Sequence, residues 1–240
     1  MFEKPIKITS FDVFPNGTVK PSALLKYMQQ IAREDCDAVG CTYPFMRENN
    51  TVFVITKLGL ELDRPLVSGE TITIRTYNNR ISGINFDREY EFLSDGEEIG
   101  HCSSFWVLVR YDNRSLVRPK DFPFDFVSYE KDCREVEVPR RLDDEGVSPA
   151  AERVVRVSDL DENDHLNNCI YADIALDAVT GFDGLSEAVT GVTILFRNEA
   201  KLGDVLQPSE KRGDGTATVT AHNKTTDKPC FEAEFIFKKT

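Results

Sequence analysis

The sequence predicts an α+β protein built from two successive copies of one unit, a helix packed on a curved antiparallel sheet. Three observations carry this. Residues 21–39 have helical spacing, with Leu24, Met28, Ile31 and Val39 close to one face. Runs rich in Val, Ile, Phe and Tyr follow, separated by turn residues. The same order then recurs in the second half of the 240 residues. A helix layer on an antiparallel sheet is a stable way to bury one face of each. Joining two such sheets edge to edge would protect strand edges left open in a single copy.

In the first copy, Pro21 suits the first turn of the helix and Gly40 the position just past its end. Strands are expected at Val52–Leu62, Thr71–Asn78, Phe86–Leu93 and Cys102–Tyr111, with turns at Ser68-Gly69 and Asp95-Gly96. In the second copy, Arg153–Val157 reads as a strand. Asn168–Thr180 reads as a helix with Ile170, Ile174 and Ala178 on one face, Asn167 or Asn168 as cap and Gly181 as stop. Further strands are expected at Ala188–Phe196, Thr216–His222 and Phe231–Phe237. A shift of 147 positions pairs Asp12 with Asp159 and Asn16 with Asn163; a shift of 134 pairs Lys57–Leu60 with Gly191–Ile194 and Gly69-Glu70 with Gly203-Asp204. The second copy is therefore shorter around its helix. These limits give an N-terminal domain at 1–127, a linker at 128–150 and a C-terminal domain at 151–240. The stretch Val127–Val147 is charged and weakly periodic, as a surface linker would be.

Bulk properties narrow the function. The chain is 40% hydrophobic and 29% charged, ordinary for a globular protein. No run approaches the roughly 18 apolar residues of a membrane span, and the first residues show no secretory signal. A cytoplasmic protein is expected. A net charge of −12 disfavours a nucleic-acid partner, which needs clustered Lys and Arg. The six cysteines form no CxxC pair, so free thiols are expected rather than a zinc site or disulfides. There is no G-x-G-x-x-G fingerprint, P-loop or G-x-S-x-G elbow, and no cofactor is expected.

Chemistry concentrates at Val157–Asn168. Asp161, Asn163 and His165 alternate just before the second helix. In an extended segment they would share one face, setting a carboxylate, an amide and an imidazole side by side. The first N–H groups of the following helix could stabilise an oxyanion. The same residues could instead be a polar turn that only caps the helix. The repeat argues against that, because the first copy has Phe14, Asn16 and Thr18 there and lacks the acid and the imidazole. Glu199, in Phe196-Arg197-Asn198-Glu199-Ala200, closes an apolar run. It is either a second functional acid or a solvated strand end. His101 and His222 read as surface or edge residues without a carboxylate at catalytic spacing.

The stretch Ser158–Asn168 followed by Tyr171, together with Phe196-Arg197-Asn198-Glu199, Asp12-Val13 and Asn16-Gly17, resembles the acyl-acyl-carrier-protein thioesterase family, in its bacterial form. The resemblance covers nearly the whole chain. It implies two tandem hotdog domains, with the acyl pocket mainly in the first and the catalytic groups Asp161, Asn163, His165 and Glu199 in the second. It implies hydrolysis of acyl-acyl carrier protein by water in fatty acid synthesis, the carrier being the partner and the chain a monomeric pseudo-dimer or a homodimer. Glu199 is the expected base with His165 beside it, though the two roles can be exchanged, and Asp161 is expected to orient His165 or Asn163. Plant members carry a cysteine where this chain has Ala200, which closes a Cys–His route at that position. Arg140, Arg141 and Lys201 are candidate contacts for an acidic carrier. The resemblance leaves three rivals open: hydrolysis of acyl-coenzyme A, non-enzymatic binding of acyl thioesters, and a hydratase.

Overall fold

The computed structural model describes residues 1–239. The first copy contains β1 (Phe2–Lys7), α1 (Pro21–Ala38), α2 (Tyr43–Glu48), β2 (Thr51–Leu62), β3 (Thr71–Ser82), β4 (Asn85–Ser94), β5 (Glu97–Arg110) and β6 (Leu116–Val117). The second contains β7 (Ser148–Pro149), β8 (Arg153–Val154), α3 (Ile170–Ala178), β9 (Glu187–Phe196), β10 (Val205–Arg212), β11 (Thr216–Asn223) and β12 (Lys228–Lys239). The strands of the described residues form one antiparallel sheet in the order β1-β3-β4-β5-β2-β9-β12-β11-β10-β7, with β6 on β5 and β8 on β10. Helix α1 packs on β1 and β3, and α3 on β10, β11 and β12. This is the double hotdog arrangement.

The halves meet where β2 pairs with β9, from Lys57 opposite Leu195 to Glu61 opposite Gly191. Gly59 faces Thr193 there, and the repeat makes those two residues equivalent. A pseudo-twofold axis therefore passes between them. Backbone bonds repeat around it: Val19 N–H to Leu66 O matches Leu166 N–H to Ala200 O, and Lys20 N–H to Asp12 O matches Asn167 N–H to Asp159 O. The weak letter-by-letter repeat is thus a repeat of hydrogen bonds.

Helix α1 buries Leu24, Leu25, Met28 and Ile31 and leaves a polar side, while α3 is apolar nearly all round and buries Tyr171, Ala172, Ile174, Ala175 and Leu176. α3 is shorter than its sequence pattern suggests. The Asn167 side chain and carbonyl hold the N–H groups of Cys169 and Ile170, and Val179 is already extended, at φ −74° and ψ 112°. Two elements had no clear pattern. α2 is a single short helix capped by Thr42, whose hydroxyl accepts from Phe45 N. β10 contains Pro208, which cannot donate to a ladder. It is tolerated because only the short β7 and β8 flank that edge. The expected strand at Arg153–Val157 stops at Val154, because the Asp159 carboxylate accepts from the Arg156 N–H at 2.7 Å and folds the chain into a turn.

The linker corrects the expectation of a mere surface strap. Val136, Val138 and Leu142 are buried, Val138 and Leu142 packing with Phe105 and Leu195 across the outer face of the central strands. Lys57 Nζ donates to Val138 O at 2.6 Å and Val136 N to Ser103 Oγ at 3.0 Å. Gly59 makes this approach possible, since a Cβ there would stand 2.8 Å from methyl groups of both Val136 and Val138. Gly59→Ala should therefore push the linker outward and cost about 1–3 kcal/mol of stability, as overpacking does. A denaturant midpoint unchanged by the substitution would contradict this packing.

Candidate active site

The segment before α3 is a tight turn, not the extended run that alternation suggested. Leu160 bridges to Leu166, Asp161 N donates to His165 O at 2.9 Å, and Asp164 sits at φ 60° in the left-handed region. Gly17 holds the matching position in the first copy, at φ 81°. Asp161 Oδ1 accepts from the backbone N–H of Asn163 at 2.8 Å and, more weakly, of His165 at 3.4 Å. The carboxylate thus ties the turn together through the backbone. It makes no hydrogen bond to the imidazole or the amide among the described residues, so its hold on either side chain runs through the backbone.

What brings His165 to Glu199 is the backbone bond from Leu166 N to Ala200 O, 2.8 Å long. The residues just before each partner then lie side by side. His165 Nε2 stands 3.1 Å from Glu199 Oε2. The same backbone bond in the first copy sets Thr18 beside Pro65, where no such pair can form. Glu199 is held from behind by Asn198 and Arg197, whose N–H groups donate to Cys230 O. Ala200 is fully buried, with its N–H on the Tyr171 hydroxyl at 3.3 Å.

Arg114 completes the cluster, a contact that no local sequence pattern signals. It lies in the turn after β5, in the first copy, at φ 59°. Its Nη2 is 3.2 Å from Glu199 Oε2 and 3.4 Å from His165 Nε2. A guanidinium only donates. If His165 Nε2 carries a proton to give to Glu199, Arg114 and His165 both donate to one carboxylate, and their mutual approach is proximity alone. Only folding could reveal this contact, because Arg114 sits in an ordinary polar turn.

The cluster opens on a cleft lined by Val52–Thr56, Trp106, Asn163, Leu166, Asn168, Tyr171 and Phe196. Asn163 Oδ1 accepts from the Tyr43 hydroxyl at 3.1 Å. Its Nδ2 has no protein partner among the described residues, nor does the Asn168 N–H. The N–H groups of Cys169 and Ile170, expected to face a ligand, are spent on Asn167. Trp106, Val52, Phe53 and Gln29 continue into a second cleft beneath α1, about 890 Å³ with its open mouth, walled by Ala32, Met46, Phe86 and Phe126. Its polar corner is the buried Arg88, whose guanidinium meets Asp35 Oδ2 at 2.8 Å. Arg140, Arg141 and Lys201 line neither cleft.

The matching position across the pseudo-axis is plugged. Phe14 packs edge-on against Phe182, with ring centres 5.2 Å apart, and abuts Gly184. Asn16 spends its amide on Glu187 O and its carbonyl on Thr18. Cys169 is buried with its thiol on Gln29, and burial pushes it up to about 12, which leaves it inert as a nucleophile. His222 is exposed at a strand end as expected. His101 is not: it is fully buried. No helix among the described residues is long and apolar enough to cross a membrane.

Residues 1–124 match the acyl-ACP thioesterase N-terminal domain and residues 144–239 the acyl-ACP thioesterase C-terminal domain. The chain is similar to a dodecanoyl-[acyl-carrier-protein] hydrolase of Cinnamomum camphora, with 25% identity over 230 residues, covering 86% of this chain and 58% of that protein. It thus spans little more than half the length of that chloroplast relative. Its fold superposes on an acyl-ACP thioesterase from Bacteroides thetaiotaomicron with TM-score 0.87 and 20% identity, covering 98% and 97% of the two chains. A 12:0-ACP thioesterase from Umbellularia californica gives TM-score 0.81 and 18% identity, covering 100% and 97%. With both domains matched in order along almost its entire length, the chain belongs to the acyl-ACP thioesterase family.

Proposed function

We propose that the protein hydrolyses fatty acyl chains from acyl carrier protein in the cytoplasm, during fatty acid synthesis. The observation that carries this reading is the His165–Glu199 pair, 3.1 Å apart, at the mouth of an apolar cleft running under α1. In this mechanism Glu199 takes a proton from water as the oxygen attacks the thioester carbonyl. His165 positions the water and passes the proton to the departing sulfur. The tetrahedral oxyanion is held by donors that lack a protein partner, the Asn163 amide and the Asn168 N–H. Arg114 fixes Glu199, and Asp161 fixes the turn that carries Asn163 and His165. The products are a free fatty acid and a carrier thiol, with no cofactor in the scheme.

Loss of a general base costs about 10²–10⁴-fold in rate, so Glu199→Gln should lower kcat/KM by that factor while leaving the denaturant midpoint unchanged. His165→Ala should fall comparably. Near-normal turnover in Glu199→Gln would sink the assignment of the base. Comparing one acyl group on carrier protein and on coenzyme A separates the two thioester substrates, and binding without turnover of either would favour a sensor.

The cleft under α1 is the proposed acyl site. Ala32 on α1 forms part of its wall. Each methylene buried is worth about 0.8 kcal/mol, so every one excluded should cost about fourfold in kcat/KM. Ala32→Phe should therefore shift preference toward shorter chains, read from turnover across a series of acyl lengths. An unchanged chain-length profile would place the acyl group elsewhere.

A further inference from the structure

We propose that Glu89, His101 and Cys133 form a zinc-binding site that clamps the linker onto the outer face of the first sheet. The three offer a carboxylate oxygen, an imidazole nitrogen and a thiol sulfur, and these atoms lie within 4.8 Å of one another. Glu89 on β4 is buried and His101 on β5 fully so; Arg88 reaches Asp35 on α1, so alternation sets Glu89 on the face away from that helix, where His101 Nε2 meets it. Cys133 comes from the linker. It is delivered there by backbone ties: Tyr129 N to Asn78 O at 3.0 Å, Glu130 N to Asn79 O at 2.8 Å, and Lys131 N to Asn79 Oδ1 at 2.8 Å. The Asn79 amide also donates to Cys133 Sγ, at 3.5 Å.

The surroundings fit a cation. His101 Nδ1 is 3.0 Å from Glu98 Oε1 and Nε2 is 3.0 Å from Glu89 Oε2. A neutral imidazole has one N–H. Given to Glu98, it leaves the Nε2 lone pair facing a carboxylate oxygen, two electron-rich atoms in contact inside the fold. A second ring proton would remove that conflict, and so would a metal between them, to which the nearby Cys133 thiol adds a third ligand. A carboxylate on the far nitrogen is also what fixes the ring of a metal-ligating histidine. Ser103 Oγ donates to Glu89 Oε2 at 2.7 Å and is itself fixed by the Val136 N–H. The neighbouring Glu91 takes both Arg75 and Lys131, whereas Glu89 has no Lys or Arg ion pair among the described residues.

The donor set selects the metal. One nitrogen, one oxygen and one sulfur suit Zn²⁺, and calcium and magnesium prefer oxygen alone. Zinc bonds of about 2.0–2.3 Å need ligand atoms about 3.3–3.8 Å apart, so His101 and Glu89 must part slightly and Cys133 must close in. The thiol proton leaves as the Zn–S bond forms, and a thiolate and a carboxylate then balance the two charges of the ion. A fourth position remains for water. The site joins β4 and β5 to the linker, far along the chain from His165.

The test uses the full chain, freed of metal by a chelator and titrated with Zn²⁺ alone. One zinc per chain is expected, with a rise in melting temperature. Cys133→Ser, at a half-buried linker position, should abolish both effects and leave hydrolysis unchanged. Glu98→Gln should weaken zinc about 10–100-fold, the usual effect of removing the group that orients a histidine ligand. Cobalt(II) provides a second readout, a thiolate-to-metal absorption band absent from Cys133→Ser. A wild-type chain that takes up no stoichiometric zinc, or one whose binding survives Cys133→Ser, overturns the proposal.

Discussion

The antiparallel pairing of β2 with β9 is the constraint on which the rest of the molecule depends. It fuses two sheets into one, sets the pseudo-axis at Gly59 and Thr193, and fixes how each half overlooks the other. The candidate site is a product of that join. His165 and Glu199 come from the second half, while Arg114, Trp106 and the β2 wall come from the first. Neither half contains the whole arrangement. The linker reinforces the join from outside, where Val136, Val138 and Leu142 cover the same central strands and Gly59 leaves them room.

Within this frame the chain builds two equivalent turns and uses them differently. Both have the same backbone bonds and a left-handed residue at the same position, Gly17 in one and Asp164 in the other. In the second copy the turn projects an imidazole toward a carboxylate. In the first it projects Phe14 into a packed aromatic contact with Phe182, and Asn16 pins β9 through Glu187. One turn supplies side chains to a cleft and the other supplies cohesion. That division explains why α1, beside the open cleft, keeps a polar side, while α3 is apolar almost all round.

Much of this was legible in the sequence, for identifiable reasons. Strong periodicity marked α1 and most long strands to within a few residues, because burial on one face imposes it. The repeat was visible at Asp12 and Asp159, whose carboxylates close matching turns on Thr9 and Arg156. The neighbourhood of His165 and Glu199 was readable from the family pattern. What escaped was set by tertiary contact. Asp161 looked like an orienting acid because alternation implies a shared face, but the turn redirects it to backbone N–H groups. Arg114 reaches Glu199 across the join, and no local pattern encodes a partner so distant in the chain. His101 read as an edge residue beside a glycine, yet it is fully buried, with Glu98 Oε1 3.0 Å from Nδ1. β10 escaped because its proline and charged residues mimic a loop.

The plugged turn has a consequence for stoichiometry. Two identical subunits joined in this way would present twin mouths, and a guest in one could alter the other. Here Phe14 and Phe182 seal the twin, so among the described residues this pair of turns offers a single mouth. Its saturation by an acyl guest should trace a simple hyperbola, because the turn that would have built the second mouth is filled.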